Sequence, residues 1–95
     1  MDERRIRNEL AERLEAFDGA LTELGRLTAT VDALKASDET IPAMEREALH
    51  REWETLEQIF AIALDRGERT LNDSDRLVAI AAAHRAAEVL RGKTH

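Results

Sequence analysis

The chain has 95 residues, of which 43% are apolar and 36% charged, with a net charge of −6 and no cysteine. This balance predicts one folded domain, residues 1–95, and excludes disulfides, thiol chemistry and cysteine-based metal sites. No stretch approaches the roughly 18 apolar residues of a membrane span. The acidic segment 37–66, with a net charge of −5, opposes phosphate binding. We therefore expect a cytoplasmic protein with no membrane or nucleic-acid partner.

Helix-forming residues dominate the composition, and a single proline and four glycines leave little room for turns, so the predicted class is all-α. An apolar stripe at steps of three and four predicts a first helix over residues 2–36, roughly 50 Å long at 1.5 Å per residue. Within it, Gly19 and Gly25 mark either a bend or the close approach of another backbone. The stripe consists of Ile6, Leu10, Leu14, Phe17, Leu21, Leu24, Leu27, Val31 and Leu34.

A second helix is predicted over residues 42–66, where Pro42 suits a first helical turn and Asp38 or Thr40 is a candidate cap. Gly67 is placed to end this helix. Its stretch Ile59–Leu64 is apolar on almost every side, and we expect it to lie at the centre of the molecule, covered from more than one direction.

The third predicted helix covers residues 73–91. Asn72, Asp73 or Ser74 can cap its start, and Gly92 follows as a stop. Its surface is rich in alanine, and small side chains let helices approach closely. We therefore expect tight packing of this helix against the other two.

These lengths predict a three-helix bundle, or a long helical hairpin with a third helix, in which the first helix is the longest. The second helix is too short to cover the whole stripe, which is also too wide for a simple two-stranded coiled coil. We therefore expect a homodimer that pairs through the first helix. The residues expected at that interface are Ile6, Leu10, Leu14, Phe17 and Leu21.

Few residues carry a chemical signal. Glu47 and His50 have the spacing of one metal-binding helical step, but a solvated pair is the simpler interpretation, and no metal or cofactor is predicted. His84 is either a histidine bonded to a neighbour or a titrating group. Trp53 is expected to anchor a core or an interface. No catalytic constellation stands out.

Three helices of these relative lengths resemble the all-helical chorismate mutases, which are intertwined dimers with arginines and a lysine in the pocket. Arg26, Lys35 and the Arg46–Glu47 step stand in loosely similar places. Arg26 and Lys35 are nine residues apart, whereas that family spaces the pair by three full turns, and its early Leu-Arg-x-x-Ile-Asp motif is absent. The resemblance is therefore one of architecture, from which activity does not follow.

Two functional hypotheses follow. The first is a small, non-enzymatic, homo-oligomeric helical module that binds another protein through its apolar surface. The alternative is a small enzyme or ligand binder in which Arg26, Lys35 and Arg46 form a pocket for an anionic small molecule. A helix-turn-helix DNA regulator is less favoured, because the connection at residues 67–73 exceeds the usual three to four residues.

Overall fold

The computed structural model describes residues 3–37 and 41–92, with side chains described for residues 5–34 and 41–92. All regular secondary structure in these ranges is helical, which confirms the all-α class. None of the described helices is both long and apolar enough to cross a bilayer. The four helices are α1 (Glu3–Glu15), α2 (Leu21–Ser37), α3 (Ala43–Asp65) and α4 (Asp73–Leu90).

The prediction of one continuous helix over residues 2–36 is wrong, because α1 ends at Glu15 and α2 begins at Leu21. Gly19 lies between them with φ +92°, a left-handed conformation that side-chain-bearing residues rarely adopt. The Asp18 carboxylate accepts a hydrogen bond from the Ala20 amide at 3.1 Å and stabilises the turn. The apolar stripe therefore folds back on itself.

Substitution of Gly19 tests this turn. A Cβ at Gly19 would collide with the Arg76 side chain, whereas one at Gly67, also at positive φ (+67°), would meet open space. Gly67→Ala is expected to cost about 1–2 kcal/mol for the left-handed conformation alone. Gly19→Ala should cost at least about 1 kcal/mol more, because Arg76 must move. Urea unfolding of both variants measures the difference, and equal costs would contradict the close contact.

The four helices alternate in direction and pack in a ring, each against two others. Arg13 of α1 reaches Glu23 of α2 at 3.2 Å, just across the turn. The Trp53 indole of α3 donates to the Thr28 carbonyl of α2 at 3.1 Å. Arg85 of α4 contacts α3 through its ion pair with Glu52.

The ring is completed by contacts between α4 and α1. The His84 Nε2 atom lies 3.2 Å from the carbonyl oxygen of Glu15, the last residue of α1. The Arg91 guanidinium donates to the Glu15 carboxylate at 2.7 Å. His84 of α4 and Arg91, the C-cap of α4, thus contact the C-terminal end of α1. Helix carbonyls at such an end lack partners within the helix.

Leucines from three helices and alanines from the fourth fill the core. Five of the six alanines of α4 are almost fully buried, and their small size lets α1 and α3 pack closely on this helix. The most deeply buried core residues are Leu10, Ala11 and Leu14 of α1, Leu24, Leu27 and Val31 of α2, Leu49, Leu56 and Ala63 of α3, and Ala79, Ala82, Ala83, Ala86 and Ala87 of α4.

The ends of α3 and α4 lie within one residue of the predicted segments 42–66 and 73–91. Asn72 is the N-cap of α4, and its side chain accepts a hydrogen bond from the Asp75 amide at 2.8 Å. Pro42 occupies the N-cap position of α3. The candidate caps Asp38 and Thr40 lie outside the described residues.

Candidate interaction surface

The residues predicted to form an intermolecular seam lie inside the chain's own core. Leu10, Leu14, Phe17 and Leu21 are at most 9% exposed, and Ile6 is partly buried against the same core. The expectation that no other helix is long enough to cover the whole stripe assumed one continuous first helix. Once the stripe folds at Gly19, the other helices cover these side chains, so they need no second chain to leave water.

Two of the three residues predicted to form an anion pocket, Arg26 and Arg46, line no common cavity among those described. Arg26 is 77% exposed on its side chain and lies 3.9 Å from Glu23, one turn away on α2. Arg46 lines a shallow cavity of about 500 Å³ at the start of α3, and Arg26 is not among the residues that line it. The side chain of Lys35 lies outside the described residues. The structure therefore does not bring Arg26 and Arg46 together.

The Glu47–His50 step does not form a metal site in the part of the chain that the structure describes. His50 instead bonds to Glu54, with 2.9 Å between its Nε2 atom and the carboxylate. The described residues contain no group of three or more histidine, cysteine, aspartate or glutamate side chains placed to hold a metal ion. His84 lies within bonding distance of the Glu15 carbonyl oxygen, but it is exposed and not half-buried as its simpler interpretation expected.

Exposed apolar side chains lie on the outer face of the α3–α4 pair. Ile62 is 48% exposed and Val78 46%. Ile59 is half-buried between this surface and the core, and Ala81 is exposed. We call this surface the α3–α4 face and define it by Ile59, Ile62, Val78 and Ala81. Leu77, which is 66% exposed, lies seven residues before His84 and so on the side of α4 nearer α1.

Helical spacing places Ile59 and Ile62 of α3 on the same side of the α3–α4 pair as Val78 of α4. Arg85 of α4 bonds to Glu52 of α3, with 2.7 Å between its Nε atom and a carboxylate oxygen. Seven residues are about two helical turns, so a residue seven positions along a helix lies on the same side of it. Because the two helices are antiparallel, the residue seven positions after Glu52 and the residue seven positions before Arg85 lie opposite each other. Those residues are Ile59 and Val78. Ile62 follows Ile59 by one turn.

Ion pairs bound the α3–α4 face at both ends. At one end, the hydrogen bond to Glu52 raises the pKa of the Arg85 guanidinium, while partial burial opposes that shift. The Glu52 side chain is only 15% exposed, so this pair is partly shielded from water. At the other end, Arg66 lies 3.8 Å from Glu68. The face is therefore apolar in the middle and nearly neutral at its ends.

The expectation that Ile59–Leu64 lies at the centre of the molecule was wrong. Only Ala63 in that stretch is fully buried, while Ile62 is 48% and Leu64 58% exposed. In a ring of four helices, α3 touches α2 and α4 and leaves its outer side uncovered. A stretch that is apolar on almost every side was the sequence signal for this face.

A second surface feature is a groove between α2 and α3 beside Trp53. Its volume is about 300 Å³, and its lining includes Gly25, Trp53 and Phe60, with carboxylates from Asp32 and Glu57. An adjoining groove of about 260 Å³ shares Trp53 and Glu57. Trp53 thus packs partly buried against the core and also separates two concave surfaces.

Comparisons with family models, with curated protein sequences and with solved structures found no match for this chain.

Proposed function

We propose that this chain is a small helical protein–protein interaction module that forms a homodimer through the α3–α4 face. The observation that carries the proposal is the exposure of Ile62 and Val78, one on each helix, on the same face of the α3–α4 pair. Contiguous apolar surface of this kind marks interaction sites in soluble proteins, whereas single exposed apolar residues do not. The chain contains no cysteine, which favours a reducing compartment. We therefore propose that the protein acts in the cytoplasm.

Charge favours a second copy as the occupant of this face. In a twofold dimer the same surface meets itself, so a face of one charge sign would repel its copy. The α3–α4 face avoids this, because Glu52 pairs with Arg85 and Arg66 with Glu68 at its two ends. Two copies can therefore bring these faces together despite the net charge of −6 on each chain.

The small residue on the face supports close contact. Ala81 is exposed between Val78 and Arg85 on α4, so a facing helix can approach the backbone there. A chain of 95 residues also gains stability from additional burial, because small domains bury a limited share of their surface.

A pair of glutamate substitutions on α3 tests the proposal. Ile62→Glu places a charge within the face and should weaken dimerisation at least about 30-fold, the equivalent of about 2 kcal/mol. Leu64→Glu is the matched control, because Leu64 is similarly exposed. It lies two residues after Ile62, which places it about 200° around the same helix and so away from the face. Light scattering on a sizing column, over a hundredfold range of concentration, measures the mass of each variant.

The wild-type chain and Leu64→Glu should approach twice the 10.7 kDa chain mass at high concentration, and Ile62→Glu should remain a monomer. A wild-type mass of one chain at every concentration contradicts the proposal. Equal loss of mass in both variants contradicts it as well, since it would place the contact elsewhere on α3.

The anionic-ligand alternative receives no comparable support from the described residues. It requires Arg26, Lys35 and Arg46 to converge, and Arg26 and Arg46 line no common cavity among those described.

A further inference from the structure

The groove between α2 and α3 presents a fixed aromatic surface. The Trp53 indole nitrogen donates to the Thr28 carbonyl at 3.1 Å, which anchors one edge of the ring. His50 stacks on the same ring, with 5.5 Å between ring centroids and 22° between the planes. Trp53 remains partly exposed. Its ring is therefore held in place before any partner arrives, which lowers the entropic cost of binding.

Gly25 gives the groove its shape. The Phe60 ring packs directly against the Gly25 backbone, because a Cβ at that position would lie 2.8 Å from the Phe60 Cζ atom. Phe60 and Trp53, seven residues apart on α3, line the same side of the groove. The result is a concave apolar surface of two aromatic rings.

Carboxylates accompany these rings. Asp32 of α2 and Glu57 of α3 line the same groove, both exposed, and Glu54 lines the adjoining groove on the other side of Trp53. Among the residues that the structure describes, no basic side chain lines either groove. In the described part of the chain, neither Asp32 nor Glu57 forms an ion pair. The surface therefore combines aromatic faces with uncompensated negative charge.

That combination is complementary to an organic cation. A guanidinium or ammonium over a tryptophan face is attracted by the ring, and nearby carboxylates pair with its charge. Arginine suits the groove better than lysine, because its planar group stacks on aromatic rings and bonds to carboxylates through several donors. A neutral apolar partner would leave both carboxylates without a partner at the contact.

We propose that the Trp53 groove binds an arginine side chain from a basic segment of a partner protein. This site lies on the α2 side of α3, away from the α3–α4 face, so it does not depend on dimerisation. Asp32 and Glu57 pair with the guanidinium, and the Trp53 and Phe60 rings pack against it and its aliphatic stem. The groove thus recognises a basic protein segment, while the α3–α4 face recognises a second copy.

The single tryptophan makes the test direct, because its fluorescence reports from the groove itself. The probe is an acetylated hexa-arginine peptide, with hexa-lysine and hexa-glutamate peptides for comparison. Hexa-arginine should change the Trp53 emission in a saturable way, and hexa-glutamate should not. Hexa-lysine should bind more weakly than hexa-arginine, and equal affinity would overturn the preference for arginine.

Charge-neutralising variants separate the groove from general attraction to an acidic protein. Asp32→Asn combined with Glu57→Gln should weaken hexa-arginine binding about tenfold or more. The control combines Glu12→Gln with Glu88→Gln, which gives the same net charge at exposed positions on α1 and α4. The control should weaken binding no more than about threefold, in keeping with screened distant charges. Melting temperatures verify that all variants fold.

Equal weakening in the two double variants would overturn the proposal, because it would show only non-specific attraction. A second outcome also overturns it. If Trp53 emission changes with protein concentration without peptide, and the groove variant abolishes that change, then the groove is filled by the basic Arg4–Arg7 stretch of another copy.

Discussion

The Leu10→Asp variant is expected to be unfolded at every concentration, not merely dissociated. Leu10 is 2% exposed in the core of the single chain. Removing its burial forfeits about 2–3 kcal/mol. An unpaired carboxylate in the same position costs several kcal/mol more unless water reaches it. Together these losses approach the whole stability of a small domain, which is about 5–15 kcal/mol.

Circular dichroism at 222 nm and thermal melting check this result. Asn8→Asp is the matched control, because it introduces the same side chain at an exposed position two residues earlier on α1. The control should keep the helical signal and a melting temperature near that of the wild type. A folded, monomeric Leu10→Asp variant would contradict burial of Leu10 within the chain, and would restore α1 as an intermolecular seam.

A second large effect is expected from Leu56→Ala on α3. Leu56 is fully buried, and truncation of a buried leucine to alanine removes packed atoms and leaves a cavity. We expect the free energy of unfolding to fall by about 2–5 kcal/mol. Urea unfolding monitored by Trp53 fluorescence and by circular dichroism measures it.

Leu64→Ala provides the comparison, since it is the same substitution on the same helix at a side chain 58% exposed. It should cost less than about 1 kcal/mol, as surface substitutions generally do. Similar costs for the two variants would contradict the exposure of Leu64.

The helical class and the limits of α3 and α4 were predictable because local signals agree there. Asn72 is a strong N-cap residue, and Gly67 and Gly92 follow helix ends at positive φ. Apolar periodicity gave the correct buried residues on α3 at Leu49 and Leu56. These features depend on neighbouring residues alone.

The break between α1 and α2 was harder to predict because the apolar stripe continues through it. Leu14, Phe17 and Leu21 keep helical spacing, yet Phe17 lies in the turn. Both halves face the same core after the chain reverses, so the spacing does not distinguish a turn from a continuous helix. The Asp18–Gly19 pair was the available signal, since this dipeptide is typical of turns.

The candidate surfaces could be predicted only in part, for a related reason. A periodic stripe shows that a helix face is buried but not which chain covers it. The periodicity of Leu10 and Leu14 therefore does not distinguish core residues from residues of a dimer interface. The exposure of Ile62 and Val78 depends on how many helices surround α3, which requires the tertiary arrangement. The Trp53 groove likewise depends on contacts between α2 and α3 that no single helix specifies.

Distances between spin labels test the proposed dimer most directly. The chain has no cysteine, so one introduced cysteine carries the only nitroxide, and any dipolar coupling must arise between copies. Ser74→Cys places the label one turn before Val78 beside the α3–α4 face, and Asn8→Cys places it on exposed α1. At a concentration where light scattering shows the dimer, we predict a defined and shorter distance between Ser74 labels than between Asn8 labels. A shorter distance between Asn8 labels, or no coupling between Ser74 labels, would contradict dimerisation through the α3–α4 face.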